Sequence, residues 1–445
     1  MYTGFERMQI DKTTYNDLSV FSAEETFSVF HKLNFTRTNG GKEWLRHMMR
    51  EPFDSIYKIE DTQHIIRLIV SHLGEWPVSI TNGTMIMMDR FYDTPLDPVP
   101  RSADFFSTRM YKILHSADYG LIRYSVTHFR DFIAGMEQLA VLIDGPQAPA
   151  KLQQFASRIR SLLLHRQLQE LLKKKPGESF SIKENLYYGH FLKAAFKTRF
   201  DELTEIFYRL DAWYSMARAV QQYGLTFPEF IVSEEPFVKA DNIYHILLPR
   251  PVSYDIALSP QSNFLFLTGA NMAGKSTFIK SLGVAVYLAH LGMGVPAEKL
   301  QLSLFDGILS NINVEDNIVK GESYFFNEVQ RIKKTILTIS NGKKWLVLID
   351  ELFKGTNIQD AMRCSLAVIK GLTRIKGSLF ILSTHLYEIG DEMKGHSTVS
   401  FKYFETRIEN DKLVFSYQLK DGISNDRLGY FILQTEKVVE LLDRL

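Results

Sequence analysis

Apolar residues recur at helical spacing through the first half of the chain. Residues 23–33 carry Phe27, Phe30 and Leu33 on one face of a short helix. Gly40 and Gly41 open a second, over 42–50, which Pro52 ends. Residues 56–73 repeat Ile59, Ile65, Ile66, Ile69, Val70 and Leu73, and segments 105–114, 121–143 and 150–172 continue the period. The longest helical pattern covers 186–223, with Phe191, Phe196, Phe200, Phe207, Tyr208, Trp213 and Tyr214 at core spacing. Residues 11–18 read as a strand-to-turn segment, and 76–101 hold turn residues without a clear period. Past Phe227 and Pro228 the character changes: short strands are predicted over 230–232, 237–240 and 264–268, followed by βα alternation. The pattern predicts an all-α domain over 1–230 and an α/β domain over 231–445.

Composition narrows the class. A chain of 445 residues is long enough for two or three domains. Its 45% apolar and 23% charged residues are those of an ordinary globular protein. No apolar run approaches the roughly 20 residues that span a bilayer. The first residues lack the basic-then-apolar order of a signal peptide. The single Cys364, in a helical pattern, reads as a small core residue, and so low a cysteine count fits a reducing cytoplasm. A net charge of +1 gives no global argument for nucleic acid. Lys173 to Lys175, just before Pro176 and Gly177, read as a solvated helix end.

The chemistry concentrates in three places. Gly269-x-x-x-x-Gly274-Lys275-Ser276 lies between an apolar strand and a helical pattern over 277–290, the context of a phosphate-cradling loop. Backbone N–H groups there converge on phosphates at a helix N-terminus, Lys275 reaches the outer phosphates, and the Ser276 hydroxyl can ligate Mg²⁺. A second apolar strand ends in Asp350 and Glu351; an Asp there can hold the metal shell and the following Glu can act on the attacking water. A third apolar strand leads to His385, a candidate γ-phosphate or water sensor at a strand's carboxyl end.

Together these residues resemble the MutS ATPases, a branch of the ABC-type P-loop fold. The run TGANMAGKST (268–277) is similar to that family's TGPNMGGKST, with Ala270 for Pro and Ala273 for Gly. The resemblance makes Gly269, Ala270, Asn271, Met272, Ala273, Gly274, Lys275, Ser276 and Thr277 the nucleotide-binding loop, with Asn271 close to the γ-phosphate. DNIVKGESYFFNE (316–328) is similar to the family's signature segment, with Gly321, Ser323, Phe325 and Glu328 in place and Tyr324 where Thr is usual. LIDELFKGTN (348–357) and STH (383–385) also resemble family motifs, as do residues 8–11 with 41–52, where Glu43 stands for the usual Arg.

The resemblance implies an ABC-type P-loop ATPase domain behind an all-α core and lever domain. It implies ATP and Mg²⁺ as cofactors, with Ser276 and Asp350 holding the metal and Glu351, His385 and Ser323 as catalytic residues. It further implies a homodimer with composite sites, in which Ser323 touches the partner's γ-phosphate and Gly355 to Asn357 lie at the interface. Val252, with Pro251, is the expected packing surface for the base. Because the resemblance starts at residue 8, the family's mismatch-reading and connector domains are expected to be missing, and 76–185 is short for a full lever and clamp. DNA, mismatched, branched or otherwise distorted, enters through resemblance alone, as do DNA stimulation of the ATPase and unknown repair partners. The competing reading is an ATP-switched protein scaffold of the same ancestry with no DNA function.

Overall fold

The computed structural model describes residues 7–100, 105–175, 177–313, 324–409, 412–424, 433–435, 437–438 and 441. The chain enters through strand β1 (Gln9–Ile10) and helices α1 (Lys12–Asp17) and α2 (Val29–Leu33). Helices α3 (Asn39–Met49), α4 (Ile56–Ser71), α5 (Asn82–Asp93), α6 (Phe105–Leu114), α7 (Ser116–Leu142), α8 (Ala150–Leu163), α9 (Arg166–Leu172), α10 (Ile182–Phe191) and α11 (Lys197–Tyr223) follow. Then come β2 (Glu229–Phe230), β3 (Val238–Ile243), β4 (Tyr254–Leu258), β5 (Phe264–Thr268) and α12 (Lys275–His290). After β6 (Lys299–Leu302) and β7 (Gly307–Asn311), helices alternate with strands: α13 (Tyr324–Ile339), β8 (Trp345–Asp350), α14 (Ile358–Leu372), β9 (Ser378–Ser383) and α15 (Tyr387–Met393). A hairpin of β10 (Val399–Glu409) and β11 (Lys412–Asp421) closes the described order.

The chain divides into two compact units. One comprises residues 33–50 and 61–222 and is helical; the other comprises 1–32, 51–60 and 223–445. The sequence pattern put the whole stretch before 230 in one helical domain, and the structure divides it differently. β1 pairs in parallel with β7 through Gln9↔Gly307 and Ile10↔Ile308, so the first strand is an edge of the C-terminal sheet. Asp17, 1% exposed, accepts bonds from Ser310 Oγ (2.6 Å), the Ile312 and Asn313 N–H groups (3.0 and 3.1 Å) and Arg331 (3.0 Å). Residues 11–18 are correspondingly not a strand-to-turn segment. Asp11 caps α1 by accepting the Thr14 N–H at 2.8 Å, a local bond that favours helix at this point.

In the helical unit the unreadable segment 76–101 contains α5, started by a Thr81/Thr84 capping box. The predicted helix over 150–172 is two helices, broken at Leu164 and His165, whose side chain caps α9. The long pattern starts at Ile182, earlier than expected, and passes through a π-helical turn at Leu192–Phe196 between α10 and α11. Lys193, in that turn, donates to the carbonyls of Phe91, Tyr92 and Thr94 (2.6 to 2.9 Å), which satisfies the end of α5. Phe196, Phe200 and Phe207 are buried against Phe129 and Phe132, as core residues. Gly41 is glycine for want of space: a Cβ there would lie 2.1 Å from a carboxylate oxygen of Asp211. Asp211 in turn accepts the Arg37 and Thr38 N–H groups and the Thr38 hydroxyl.

The C-terminal unit holds a seven-stranded sheet in the order β1-β7-β8-β9-β5-β10-β11, parallel except for the final hairpin. A four-stranded sheet, β2-β6-β3-β4, is mixed. Strands β5, β8 and β9 are buried at every residue, as expected of parallel strands covered on both faces. The core on one face runs from Phe264, Trp345 and Phe380 to Ile369 and Leu372 of α14, and the partly buried Cys364 packs against it. No helix among the described residues is long and apolar enough to cross a membrane.

At the end of α12, His290 is fully buried and ties in residues 51–60. Its Nε2 accepts the Phe305 N–H (3.4 Å), so Nδ1 carries the proton donated to the Phe53 carbonyl (2.8 Å). Burial pushes its pKa down to about 4, against the opposing Phe53 bond and Asp306 charge. The unfolded chain therefore binds a proton between pH 6.5 and 4 that the folded chain refuses. Stability from this group is complete above about pH 6.5 and lost as pH falls, by roughly 3 kcal/mol at pH 4. The unfolding midpoint of the wild type should drop between pH 7 and pH 5, and His290→Asn should show a shallower drop. Parallel slopes in thermal melts of the two would refute this.

Candidate functional site

Residues 269–274 join the buried β5 to α12. The backbone is left-handed at Gly269 (φ +138°), Met272 (φ +66°) and Gly274 (φ +108°). Gly274 immediately precedes the first turn of α12. A side chain there would be strained by its φ and would approach the Tyr417 ring at 3.4 Å. The turn leaves the first N–H groups of α12 directed into the loop, free of intrahelical partners. Lys275, 5% exposed, folds back so that Nζ donates to the carbonyls of Gly269 (2.8 Å) and Ala270 (3.0 Å). Burial lowers its pKa; the Glu351 and Asp350 charges oppose that shift and Lys354 adds to it.

The sheet order brings the other predicted residues to the same edge. β5 lies beside β9, and β9 beside β8, with Asp350↔Ser383 and Leu267↔Ser383 in register. Asp350, 8% exposed, accepts from the Ser276 hydroxyl on one oxygen and from the Ser383 hydroxyl on the other. Glu351 follows with φ +66°, its N–H donating to the Ser383 carbonyl at 3.0 Å. Its carboxylate contacts His385 Nε2 and, at 3.3 Å, Lys354 Nζ. Burial pushes the Glu351 carboxyl up, but His385 and Lys354 outweigh it and hold the group below the usual range. His385 thus meets Glu351 directly, an arrangement in which each fixes the other's direction.

A cavity of about 440 Å³ opens over the loop. Residues 270–272 and 274–277 line it with Glu351 and Val252. Leu248, Arg250, Tyr254 and Tyr417 complete the wall, and none of these four stood out in the sequence. Ala273 does not line the cavity: it is 1% exposed, so its methyl group is packed within the protein. Ser323 and Gly321 lie outside the described residues. Asn357 caps α14 by accepting the Asp360 N–H at 3.0 Å.

The donor set suits an anion and a hard cation. A buried ammonium bonded to carbonyls, beside free helix N–H groups, fits a polyphosphate. A hydroxyl and a carboxylate sharing one hydrogen bond, Ser276 and Asp350, fit Mg²⁺.

The fold and site define a class: a mixed α/β sheet domain whose glycine loop opens a buried helix at the carboxyl ends of its central strands, with a helical part in the N-terminal half. Residues 265–441 match MutS domain V. The chain is 30% identical over 251 residues to the DNA mismatch repair protein MutS of Petrotoga mobilis, covering 55% of this chain and 30% of that protein. It is 29% identical to MutS of Thermotoga maritima, again over 55% and 30%. With the DNA mismatch repair protein MSH3 of Phaeosphaeria nodorum it shares 26% identity over 333 residues, 69% of this chain and 29% of the relative. Residues 265–441 are thus similar to the ATPase-bearing part of MutS proteins, and the chain spans about three tenths of the length of the curated relatives it matches.

Because the Ala273 methyl is buried away from the cavity, Ala273→Gly should cost about 1 kcal/mol through lost burial and added backbone freedom. Affinity for a fluorescent ATP analogue should stay within about threefold, since no cavity wall changes. A larger gain or loss of affinity in a binding titration would mean that residue 273 does face the ligand.

Proposed function

We propose that this chain binds and hydrolyses ATP with Mg²⁺ and works as an ATP-switched homodimer on distorted DNA. The observation that carries the ATPase part is the convergence of the 269–274 loop, Lys275, Ser276, Asp350 and Glu351 at one sheet edge. In this reading the loop N–H groups and Lys275 cradle the phosphates. Ser276 and Asp350 would hold Mg²⁺, which neutralises charge developing on the phosphates. Glu351, kept ionised and aimed by His385 and Lys354, orients the attacking water and accepts its proton. His385 responds to the γ-phosphate through that same contact. The nucleoside lies against Val252, Tyr254 and Tyr417, apolar and aromatic walls of the cavity. Ser323 reaches the second copy's γ-phosphate, so that ATP joins two subunits and hydrolysis releases them.

DNA as the partner is supported by the relatives, which are named as DNA mismatch repair proteins. Charge supports it as well. The helical unit holds 24 Lys and Arg against 18 Asp and Glu, a positive balance that the net +1 of the whole chain conceals. The scaffold reading, without DNA, has no comparable observation in its favour.

The deciding experiment measures ATPase rate against protein concentration, with plain, mismatched and branched duplex at two salt concentrations. The proposal expects a rate that rises with protein concentration and with distorted DNA, and a DNA effect that weakens with salt. A rate indifferent to every DNA would sink the DNA part and leave the scaffold. Glu351→Gln should still bind ATP but turn over at least roughly tenfold more slowly; near-wild-type turnover would remove its role on the water.

A further inference from the structure

The turn that presents Glu351 is held from outside itself. Glu351 (φ +66°) and Phe353 (φ +59°) are both left-handed without being glycine. Each such residue costs on the order of 1–3 kcal/mol and persists where surroundings over-determine it. The Glu351 N–H bond to Ser383 fixes the start of the turn. Its far side rests on α13. There Glu328, 5% exposed, accepts the Lys354 N–H on one carboxylate oxygen (3.3 Å) and the Gly355 N–H on the other (3.4 Å). One helical turn earlier on the same face, the Phe325 ring packs against Phe353, 5.6 Å between centroids, and Phe353 is 4% exposed.

The residue whose backbone Glu328 grips is also the residue whose side chain reaches the catalytic carboxylate. Lys354 Nζ lies 3.3 Å from Glu351 Oε2. A connection therefore runs from Glu328 through the Lys354 backbone and side chain to Glu351. Burial pushes the Glu328 carboxyl above its usual range, and the N–H groups of Lys354, Gly355 and Phe353 with the Lys354 charge offset only part of that rise. Those four donors and charges all belong to the turn, so the turn is what makes a buried carboxylate tolerable at this place.

We propose that Glu328 is a positioning residue for the proposed ATP hydrolysis: it clamps the strained 351–355 turn onto α13 and, through Lys354, sets the direction of the Glu351 carboxylate. This rests on the reading that Glu351 acts on the water. It goes further in giving α13 a part in the site although no residue of α13 lines the cavity. A turn freed from Glu328 would relax out of its left-handed conformations and leave Glu351 without its Lys354 contact. Phosphate binding, carried by loop 269–274 on the other side of the cavity wall, would be spared.

The test uses the full chain with Glu328→Ala and Glu328→Gln, the latter keeping one acceptor oxygen but no charge. Amide hydrogen exchange is followed without nucleotide in peptides covering 351–357 and in the rest of the chain. In Glu328→Ala, exchange over 351–357 should accelerate at least about tenfold while β5, β8 and β9 stay protected. Turnover should fall at least about tenfold with affinity for a fluorescent ATP analogue held within about threefold, and Glu328→Gln should lie between. Unchanged exchange at the turn, or affinity falling in step with turnover, would overturn the proposal and leave Glu328 a packing residue. If the alanine variant fails to fold, the glutamine variant is judged on the same readouts. If the wild type hydrolyses no ATP, the function proposed above fails, while the exchange arm still decides whether Glu328 holds the turn.

Discussion

One buried carboxylate constrains the whole C-terminal unit. Asp350 ends a strand with no exposed residue, where an ionised group cannot stand without partners. Its two oxygens are met by hydroxyls from different elements, Ser276 of α12 and Ser383 of β9. Both bonds form only if β8, β9 and β5 end at one level, and the register Asp350↔Ser383↔Leu267 provides that. Loop 269–274 starts two residues past Leu267, so satisfying Asp350 also sets the loop over the cavity. Packing and chemistry are joined in a single requirement.

Several of the unit's left-handed residues lie at the same edge, with others, such as Ser19 and Asn242, elsewhere. Gly269, Met272 and Gly274 in the loop, and Glu351 and Phe353 after β8, are left-handed. Such residues are expected where a site must hold groups away from their relaxed directions. The surrounding supports are visible. Lys275 bonds the loop carbonyls, Ser383 takes the Glu351 N–H, and Glu328 takes those of Lys354 and Gly355. The loop and the turn are therefore braced by separate elements, one by its own lysine and the other by α13.

The first 32 residues belong with this unit although the helical unit, residues 33–50 and 61–222, interrupts it twice before residue 223. Asp17 makes the attachment specific, gathering Ser310, Ile312, Asn313 and Arg331 around a carboxylate with 1% exposure. Removing one partner of such a cluster would strand buried donors, which is costlier than never having built it. The same cluster grips the chain at Asn313 and again at Arg331, so the N-terminus fixes both the end of β7 and the helix that carries Glu328.

The sequence by itself determined what is written in short runs. Fully apolar segments announced the central strands, the glycine spacing announced the loop, and an acid pair marked the end of β8. The helical period announced most of the helices, because those signals act within a few residues through sterics and local hydrogen bonds. It also brought out His385, though not that His385 meets Glu351. Tertiary structure decided the rest. Ser383 became a partner of Asp350, Tyr254 and Tyr417 became cavity walls, and residues 11–18 became a helix fastened to a strand some three hundred residues away. The breaks at Leu164 and in the Leu192–Phe196 turn, invisible in an unbroken apolar period, were settled by packing within the helical unit. Strand order and helix docking depend on which distant surfaces bury each other, and a local pattern records that a face is apolar without recording what will cover it.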